Sequence, residues 1–182
     1  SAGLSMNHDY LKEKVNVTSD TQTITKETTP GAYVQYTLNI NDEIVAMAGL
    51  RADHSSHYGT FVTPRLHLKY APSSIFTLRL SAGKGYRTPF ALAENNYLLA
   101  SGRTLVVDDL KQEEAWNYGL SAALSIPIGE RQLELNAEYY YTTFQHQLLV
   151  DMDSDPHAIH FTNLVGDSYS HTWQVEATYP LF

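Results

Sequence analysis

The sequence AYVQYTLNI at residues 32–40 alternates apolar residues with residues that carry polar groups. A period of two places successive side chains on opposite faces of a β-strand, so this stretch predicts a strand with one apolar face. The same alternation recurs at residues 44–52, 65–70, 76–82, 116–126, 133–142 and 169–179, and less cleanly at 4–17. The pattern therefore predicts an all-β fold.

The connections between these segments are of two kinds that alternate along the chain. Tight turns are predicted at 41–43, 71–74 and 128–131, and longer polar loops near 18–30, 53–60, 87–114 and 151–157. This order predicts an antiparallel meander of about eight strands, with the short turns at one end and the long loops at the other. Bacterial outer-membrane barrels have this asymmetry, with the long loops outside the cell. A soluble β-sandwich is the alternative architecture.

Composition narrows the classes of function. The 182 residues include 12 Lys and Arg against 20 Asp and Glu, a net charge of −8, and no cysteine. This acidic balance argues against a nucleic-acid partner, and the absence of cysteine excludes disulfides and thiolate metal sites. The longest apolar run, Ile44–Leu50, is far shorter than the roughly 20 residues of a spanning helix. The mean hydropathy of −0.30 is compatible with a barrel, because lipid-facing and lumen-facing residues cancel.

Aromatic and charged residues fit the two faces and ends of a barrel wall. Tyr70 and Tyr179 end strands just before turns, and Trp116 and Tyr118 begin a strand after a long loop. Such positions predict aromatic belts at the two lipid interfaces. The opposite face carries charges that a lumen tolerates better than hydrocarbon does: Arg65, Lys69, Arg79, Glu134, Glu138 and Glu176. Pro64 is expected near a strand start, where the missing N–H is best tolerated.

Two motifs carry a family resemblance. GKGYRTPFALAEN at residues 83–95 resembles the glycine-aromatic-basic-x-proline stretch of TonB-dependent receptor barrels, and LKQEEAWNYGLSA at 110–122 is similar to that family's segment in which a loop ends and the next strand begins. The segments AGLSMNHDY and SYSHTWQVEATYP are similar to barrel strands of the same family.

The resemblance implies a 22-stranded transmembrane β-barrel in the bacterial outer membrane, with a plug domain inside it and a peptide that engages TonB. Eight strands are too few to enclose a plug, so we expect residues 1–182 to be a partial, internal segment of the barrel domain that is not competent for transport alone. The implied function is energy-coupled uptake of a scarce nutrient: an iron chelate, vitamin B12 or a glycan. The implied partners are outer-membrane lipid, a small nutrient ligand, and the TonB complex through parts absent from this chain.

The 87–114 loop is long for a structureless connection, so a functional role is expected. Its residues Ala91–Ala100 favour a short helix, and the loop is predicted to contribute to an extracellular ligand vestibule. The residues expected there are Tyr86, Arg87, Glu94, Asn95, Asn96 and Tyr97. No cofactor is expected.

The acidic loop has two interpretations. Asp151, Asp153 and Asp155 supply oxygen ligands of the kind that Ca²⁺ prefers. The match to a calcium loop is poor, because there is no turn glycine and no Glu twelve residues along, so a solvated acidic loop is the alternative. His157 and His160 would chelate a metal only on a helix, whereas the pattern predicts a hairpin.

Two other functions are alternatives to a transport receptor. A hydrolase is suggested only by the cluster Asp53, His54, Ser55, Ser56 and His57, which lacks a nucleophile-elbow motif, and no enzyme is expected. A soluble carbohydrate-binding β-module is the stronger rival, with Trp116 and Tyr118 as a platform for sugar rings. As an isolated wall segment, the chain is expected to self-associate through its strand edges and its apolar face.

Overall fold

The alternating segments form the strands of a computed structural model that describes residues 1–16 and 20–180. Helical structure is confined to α1 (Ala91–Glu94) and a 3₁₀ helix at Asn96–Ser101. The strands are β1 Ala2–Asn16, β2 Asp20–Asn39, β3 Ile44–Ser55, β4 Gly59–Tyr70, β5 Phe76–Arg87, β6 Thr104–Val107, β7 Glu113–Ile128, β8 Arg131–Gln145, β9 Leu148–Asp151, β10 Ala158–Asn163 and β11 Asp167–Thr178. None of the helices in the described ranges is both long and apolar enough to cross a bilayer.

Eight strands form one sheet in the order β1-β2-β3-β4-β5-β7-β8-β11, and every neighbouring pair is antiparallel. The predicted eight-stranded meander is confirmed. Strands β6, β10 and β9 form a separate small sheet, which the sequence pattern did not predict.

The strand register places every predicted apolar segment on one face of the main sheet. A single row across it joins Tyr36, Ala48, Leu66, Ala82, Tyr118, Tyr141 and His171. The adjacent row on the other face joins Gln35, Gly49, Arg65, Gly83, Asn117, Thr142 and Ser170. We call these the apolar face and the polar face. The apolar face is uncovered in this chain: Tyr36 is 68% and Trp173 74% exposed.

The tight turns are confirmed at 41–43, 71–75 and 129–130, but two of the predicted loops are much shorter than expected. The loop near 18–30 is wrong in extent, because β1 and β2 pair as far as Asn16 and Asp20, and residues 17–19 lie outside the described residues. The loop near 53–60 shrinks to 56–58, because β3 and β4 pair as far as Ser55 and Gly59. Strands that are polar on both faces have no hydrophobic period, so alternation could not detect these extensions.

The two remaining connections are longer or more ordered than predicted. The 87–114 segment contains α1, the 3₁₀ helix and β6, so the helix expected within Ala91–Ala100 is confirmed as two short helical pieces. The 151–157 segment lies inside a larger connection, 146–166, that includes β9 and β10. Parallel pairing of β6 with β10 joins the two connections into one unit, which we call the cap (residues 88–112 and 146–166).

The buried hydrophobic residues, among those that the structure describes, all lie in the cap. Phe161 and Ile159 of β10 are 0% and 1% exposed, and they cluster with Ala91 and Leu98. Partly buried side chains surround this cluster: Leu92, Leu105, Leu110, Leu148 and Val150. Among the residues whose burial is described, the main sheet has no comparable core, so the cap is the part of the described chain that packs like a soluble domain.

The expectation that Pro64 lies near a strand start is wrong. It lies inside β4 rather than near its start, opposite Leu50 of β3. The ladder between β4 and β5 runs from Tyr70 only as far as Arg65, the residue next to Pro64. Since proline has no N–H to donate to a neighbouring strand, its position is consistent with the end of this ladder.

Candidate functional site

An ionic cluster on the polar side of the sheet joins the main sheet to the cap. Arg87 ends β5 and Glu113 begins β7, and their backbones pair. Arg87 donates a hydrogen bond from Nε to Glu113 Oε2, and its Nη1 lies 3.2 Å from Glu94 Oε2 of α1. The other oxygen of Glu113, Oε1, accepts a hydrogen bond from the Leu148 N–H of β9 at 2.6 Å. One arginine and two carboxylates thus tie two strand ends, a helix and a cap strand together.

Burial makes Glu113 the anchor of this cluster. Its side chain is 11% exposed, whereas that of Arg87 is 56% exposed. A buried carboxylate is stable only when its oxygens are paired, and both oxygens of Glu113 have partners. The Arg87 side chain remains more than half exposed beside these partners.

Only some of the residues that were predicted to line the ligand vestibule lie in contact with one another. Arg87 and Glu94 meet, and Glu94 also accepts a hydrogen bond from the Phe90 N–H at 3.2 Å. The Asn95 side chain is used inside the helical segment, where it donates to the Ala91 carbonyl at 2.9 Å. Asn96 and Tyr97 project from the cap surface, and Tyr97 is 65% exposed.

Tyr86 has a different environment from Arg87, as expected for consecutive residues of a strand. Its ring centroid lies 4.8 Å from that of Phe61, and the Lys84 ammonium lies 4.6 Å from the centre of the Tyr86 ring. Lys84 also forms a 2.5 Å ion pair with Glu114. Tyr86 lines an open cleft of about 460 Å³ between the 56–58 turn and cap residues 109–112.

A second polar cluster surrounds Glu27. The sequence pattern did not predict this cluster, because Glu27 falls in the segment predicted as a loop. Glu27 is 5% exposed and accepts a hydrogen bond from the Ser55 hydroxyl, whose residue is 1% exposed. The Ser55 oxygen in turn accepts the N–H groups of His57 and Tyr58, at 3.1 and 3.0 Å, and so holds the 56–58 turn. An acidic residue among threonines gives no signal of burial, so sequence reasoning could not have selected Glu27.

Glu27 lines a cavity of about 280 Å³ between the β1–β2 hairpin and the cap. Tyr58, Phe90, Asp108 and Asp109 also line it. Burial raises the pKa of Tyr58, and the carboxylates of Glu27 and Asp109 raise it further, so Tyr58 is a neutral hydrogen-bonding group at physiological pH. The cavity combines aromatic walls with oxygen acceptors, the composition of a small-molecule site.

The acidic loop is organised by its own backbone. Asp151 Oδ1 accepts the N–H groups of Asp153 and Ser154, both at 3.0 Å, and Asp155 Oδ1 accepts that of His157 at 2.8 Å. Hydrogen bonds from Ser154 and then from Asp153 lower the pKa of Asp151. Among the residues that the structure describes, no three His, Asp or Glu side chains converge as metal ligands. The calcium interpretation of Asp151, Asp153 and Asp155 stays a prediction.

The hydrolase cluster is divided between the two faces of β3. Asp53 is held by Arg51, which donates from Nε and Nη2 at 2.6 Å each. His54 instead contacts the Thr60 hydroxyl at 2.8 Å through Nδ1. The hydroxyl of Ser55 bonds to Glu27 rather than to a histidine. Sequence adjacency therefore does not produce a nucleophile–base pair here.

Aromatic rings form a continuous cluster on the apolar face of β7, β8 and β11. Tyr139 and Trp173 lie 4.3 Å apart between ring centroids, and Tyr139 Oη is 2.8 Å from His171 Nδ1. The cluster continues through Tyr141 to Tyr118 and Trp116. The predicted aromatic positions Trp116 and Tyr118 thus belong to one aromatic patch on the apolar face, which extends along the strands to Tyr139 and Trp173.

Comparison with known proteins agrees with this architecture. The family model described as "TonB dependent receptor-like, beta-barrel" matches residues 4–182. No curated protein matches the chain. The family match favours a barrel wall over the soluble carbohydrate-binding module.

Several solved structures share the fold. The siderophore receptor PirA from Pseudomonas aeruginosa superposes with a TM-score of 0.73 at 18% identity, over 100% of this chain and 33% of that one. PirA from Acinetobacter baumannii gives 0.74 at 15% identity, over 99% and 31%. The copper transporter OprC gives 0.70 at 14% identity, over 100% and 32%. The chain thus spans about a third of the length of these receptors.

Proposed function

Because the chain belongs to the TonB-dependent receptor β-barrel family, we propose that it forms part of the wall of a bacterial outer-membrane receptor for energy-coupled uptake of a scarce nutrient. The apolar face contacts outer-membrane lipid, the polar face lines the lumen, and the cap lies on the extracellular side. The wall segment is not transport-competent alone, and coupling to the TonB complex requires other parts of a receptor.

The observation that carries this proposal is the two-faced sheet. The strands of the main sheet place most of their apolar residues on one face, and that face remains exposed in the chain. Soluble proteins rarely leave so large an apolar surface uncovered, whereas a barrel wall presents it to lipid.

The proposed ligand classes are iron chelates, vitamin B12 and glycans, and copper is a further candidate. The similar structures include siderophore receptors and a copper transporter, and these names concern those proteins. The cap supports recognition of a small molecule because it combines the exposed part of Arg87 with two cavities lined by aromatic and acidic side chains.

We assign the predicted loop residues to four roles within this vestibule. Arg87 and Glu94 belong to the ionic cluster that holds the cap, and Tyr86 lines the adjoining cleft. Asn95 stabilises the helical segment, while Asn96 and Tyr97 present polar and aromatic groups to the outside.

Uptake assays with the complete receptor test the proposal. A strain without the receptor gene should lose uptake of one labelled compound from a panel of ferric siderophores, cobalamin, copper and oligosaccharides. Complementation should restore uptake, and a protonophore should abolish it. Receptor-independent uptake of the whole panel, or uptake that survives the protonophore, would contradict energy-coupled transport.

A further inference from the structure

The β1–β2 hairpin carries acidic side chains on one face and basic side chains on the other. The face toward the cap includes four residues that line the cavity there: Leu11, Glu13, Thr25 and Glu27. Side chains alternate along each strand, so the unbroken register of β1 with β2 places Lys12 and Lys26 on the opposite face. That opposite face continues the apolar face of the main sheet, because Lys26 and Ala32 are an even number of residues apart in β2.

Neither lysine has an acidic partner. Among the side chains that the structure describes on β1, β2 and β3, every acidic one lies on the other face: Asp9, Glu13, Glu27 and Asp53. Lys84, on the apolar face of β5, is instead neutralised by Glu114 at 2.5 Å. In the described part of the chain, no carboxylate oxygen lies within 4.0 Å of the Lys12 or Lys26 ammonium.

Along β1, this face changes from apolar to basic as the strand approaches the cap. Leu4 and Met6 are exposed apolar side chains, His8 follows, and Tyr10 and Lys12 come next on the same face. The Lys26 ammonium lies 5.6 Å from the centre of the Tyr10 ring. Apolar side chains, then an aromatic ring, then lysines is the order in which a protein meets the hydrocarbon and the headgroups of a bilayer.

We propose that Tyr10, Lys12 and Lys26, here called the basic strip, bind the phosphate group of an anionic lipid in the outer leaflet of the outer membrane. This inference rests on the proposed function, because only a lipid-facing wall brings headgroups to this face. Lys12 lies opposite Ile24 and Lys26 opposite Tyr10, so the two lysines are diagonal neighbours across the strand pair. Such neighbours are about 7–8 Å apart, and their flexible side chains can donate to one phosphate from two sides.

The position of the basic strip favours a lipid over a soluble anion. Met6 and Tyr10 are four residues apart on one face of β1, which corresponds to about 13 Å along the strand. A lipid whose phosphate binds the lysines can lay its acyl chains along Met6 and Leu4, and this contact buries apolar surface that a soluble anion leaves exposed. Two exposed lysines alone hold a free anion weakly, because water screens the interaction.

Lipid binding by the intact receptor in detergent tests this proposal. The probes are purified phosphorylated lipid A and the same lipid after enzymatic removal of its phosphates, and native mass spectrometry counts the lipids bound to each barrel. We expect the wild type to prefer the phosphorylated lipid. Lys12→Gln combined with Lys26→Gln should weaken its binding by about fivefold for each lysine, whereas Lys12→Arg combined with Lys26→Arg should preserve it.

Lys69→Gln combined with Arg79→Gln is the matched control. It removes the same amount of charge from the polar face, where the two residues lie opposite each other, so it should bind the phosphorylated lipid as the wild type does. Four outcomes, measured at equal amounts of folded barrel, would overturn the proposal: equal binding by the wild type and the Lys12 and Lys26 glutamine variant, equal loss in the control, equal binding of the two lipids by the wild type, or displacement of the lipid by inorganic phosphate alone.

The lipid test and the uptake assay fail separately. A receptor that binds the phosphorylated lipid through the basic strip but takes up no compound of the panel would contradict only the proposed transport. A receptor that transports one compound but does not distinguish the two lipids would contradict only the basic strip.

Discussion

Arg87 and Glu113 lie opposite each other at the ends of β5 and β7, and their side chains form a hydrogen-bonded ion pair. The 25-residue connection between them therefore starts and finishes at one point. Because Glu113 also binds the backbone of β9, this pair holds both halves of the cap on the barrel wall.

The first prediction concerns this anchor. Glu113→Ala should leave the Leu148 N–H without its acceptor and leave Arg87 paired with Glu94 alone, and so make the cap more mobile on the intact barrel. Leaving a buried group unpaired costs about 1–3 kcal/mol, so protease cleavage within 88–112 and 146–166 should accelerate markedly. Glu130→Ala, in the tight turn at the other end, is the control. Equal cleavage rates in the two variants would refute the anchoring role.

The second prediction concerns the cap core. Phe161→Ala should destabilise the cap by about 3–5 kcal/mol, because Phe161 is fully buried in the cluster with Ile159 and Leu98. Hydrogen exchange in β6 and β10 should increase while exchange in β7 and β8 stays slow. Val165→Ala should change neither, since Val165 is 99% exposed. Unchanged protection of β10 in Phe161→Ala would show that the cluster does not hold the cap.

The third prediction concerns the two faces of the wall. Leu78→Arg places a charge on the apolar face opposite Tyr70, near the turn end of the sheet, where the cost is smaller than the about 2–4 kcal/mol expected at the membrane midplane. Thr77→Arg points to the polar face and should be milder. The measurement is the amount of heat-modifiable, folded receptor in the outer membrane. Equal losses in both variants would remove the support for a lipid-facing surface.

The fourth prediction concerns topology. Asn96 is exposed at the start of the 3₁₀ helix, so a cysteine there should react with a membrane-impermeant reagent on whole cells. A cysteine at Ser73, in a tight turn at the opposite end of the strands, should react only after lysis. The reverse pattern would place the cap in the periplasm.

The fifth prediction concerns residues 1–182 as an isolated polypeptide. Strands β1 and β11 each have one unpaired edge in the sheet order, and the apolar face has no cover. Both features favour association, so we expect dimers or larger species formed through strand edges or stacked apolar faces. Light scattering over a range of concentrations measures this, and a detergent-free monomer at high concentration would contradict it.

Sequence alternation predicted the main sheet because lipid and lumen impose opposite polarity on neighbouring positions of each strand. Tyr118 and Leu120 therefore could be assigned to one face without a structure. Alternation did not predict the strands that lack this opposite polarity on their two faces. Residues 20–30 form a strand whose polar residues show no period of two, and β9 and β10 pack against a local core rather than against lipid.

The site was less predictable than the fold because its contacts are long-range. Arg87 and Glu94 could be selected from one motif, but their link to Glu113 and Leu148 depends on the joining of two separate connections. Glu27 and Ser55 meet only because β2 and β3 extend beyond the predicted strand ends. The residues next to Glu27 and Ser55 in the sequence give no sign of this contact.

The parallel pairing of β6 with β10 also determines the order in which parts of the chain can fold. Both strands of the β7–β8 hairpin lie between β6 and β10 in sequence. The cost in chain entropy of bringing β6 and β10 together falls once that hairpin has formed and fixes their ends. Until then the apolar side chains of Leu105, Ile159 and Phe161 have no shared interior to enter. We therefore expect the cap to be a late-folding element that matures only after its neighbouring strands are in place.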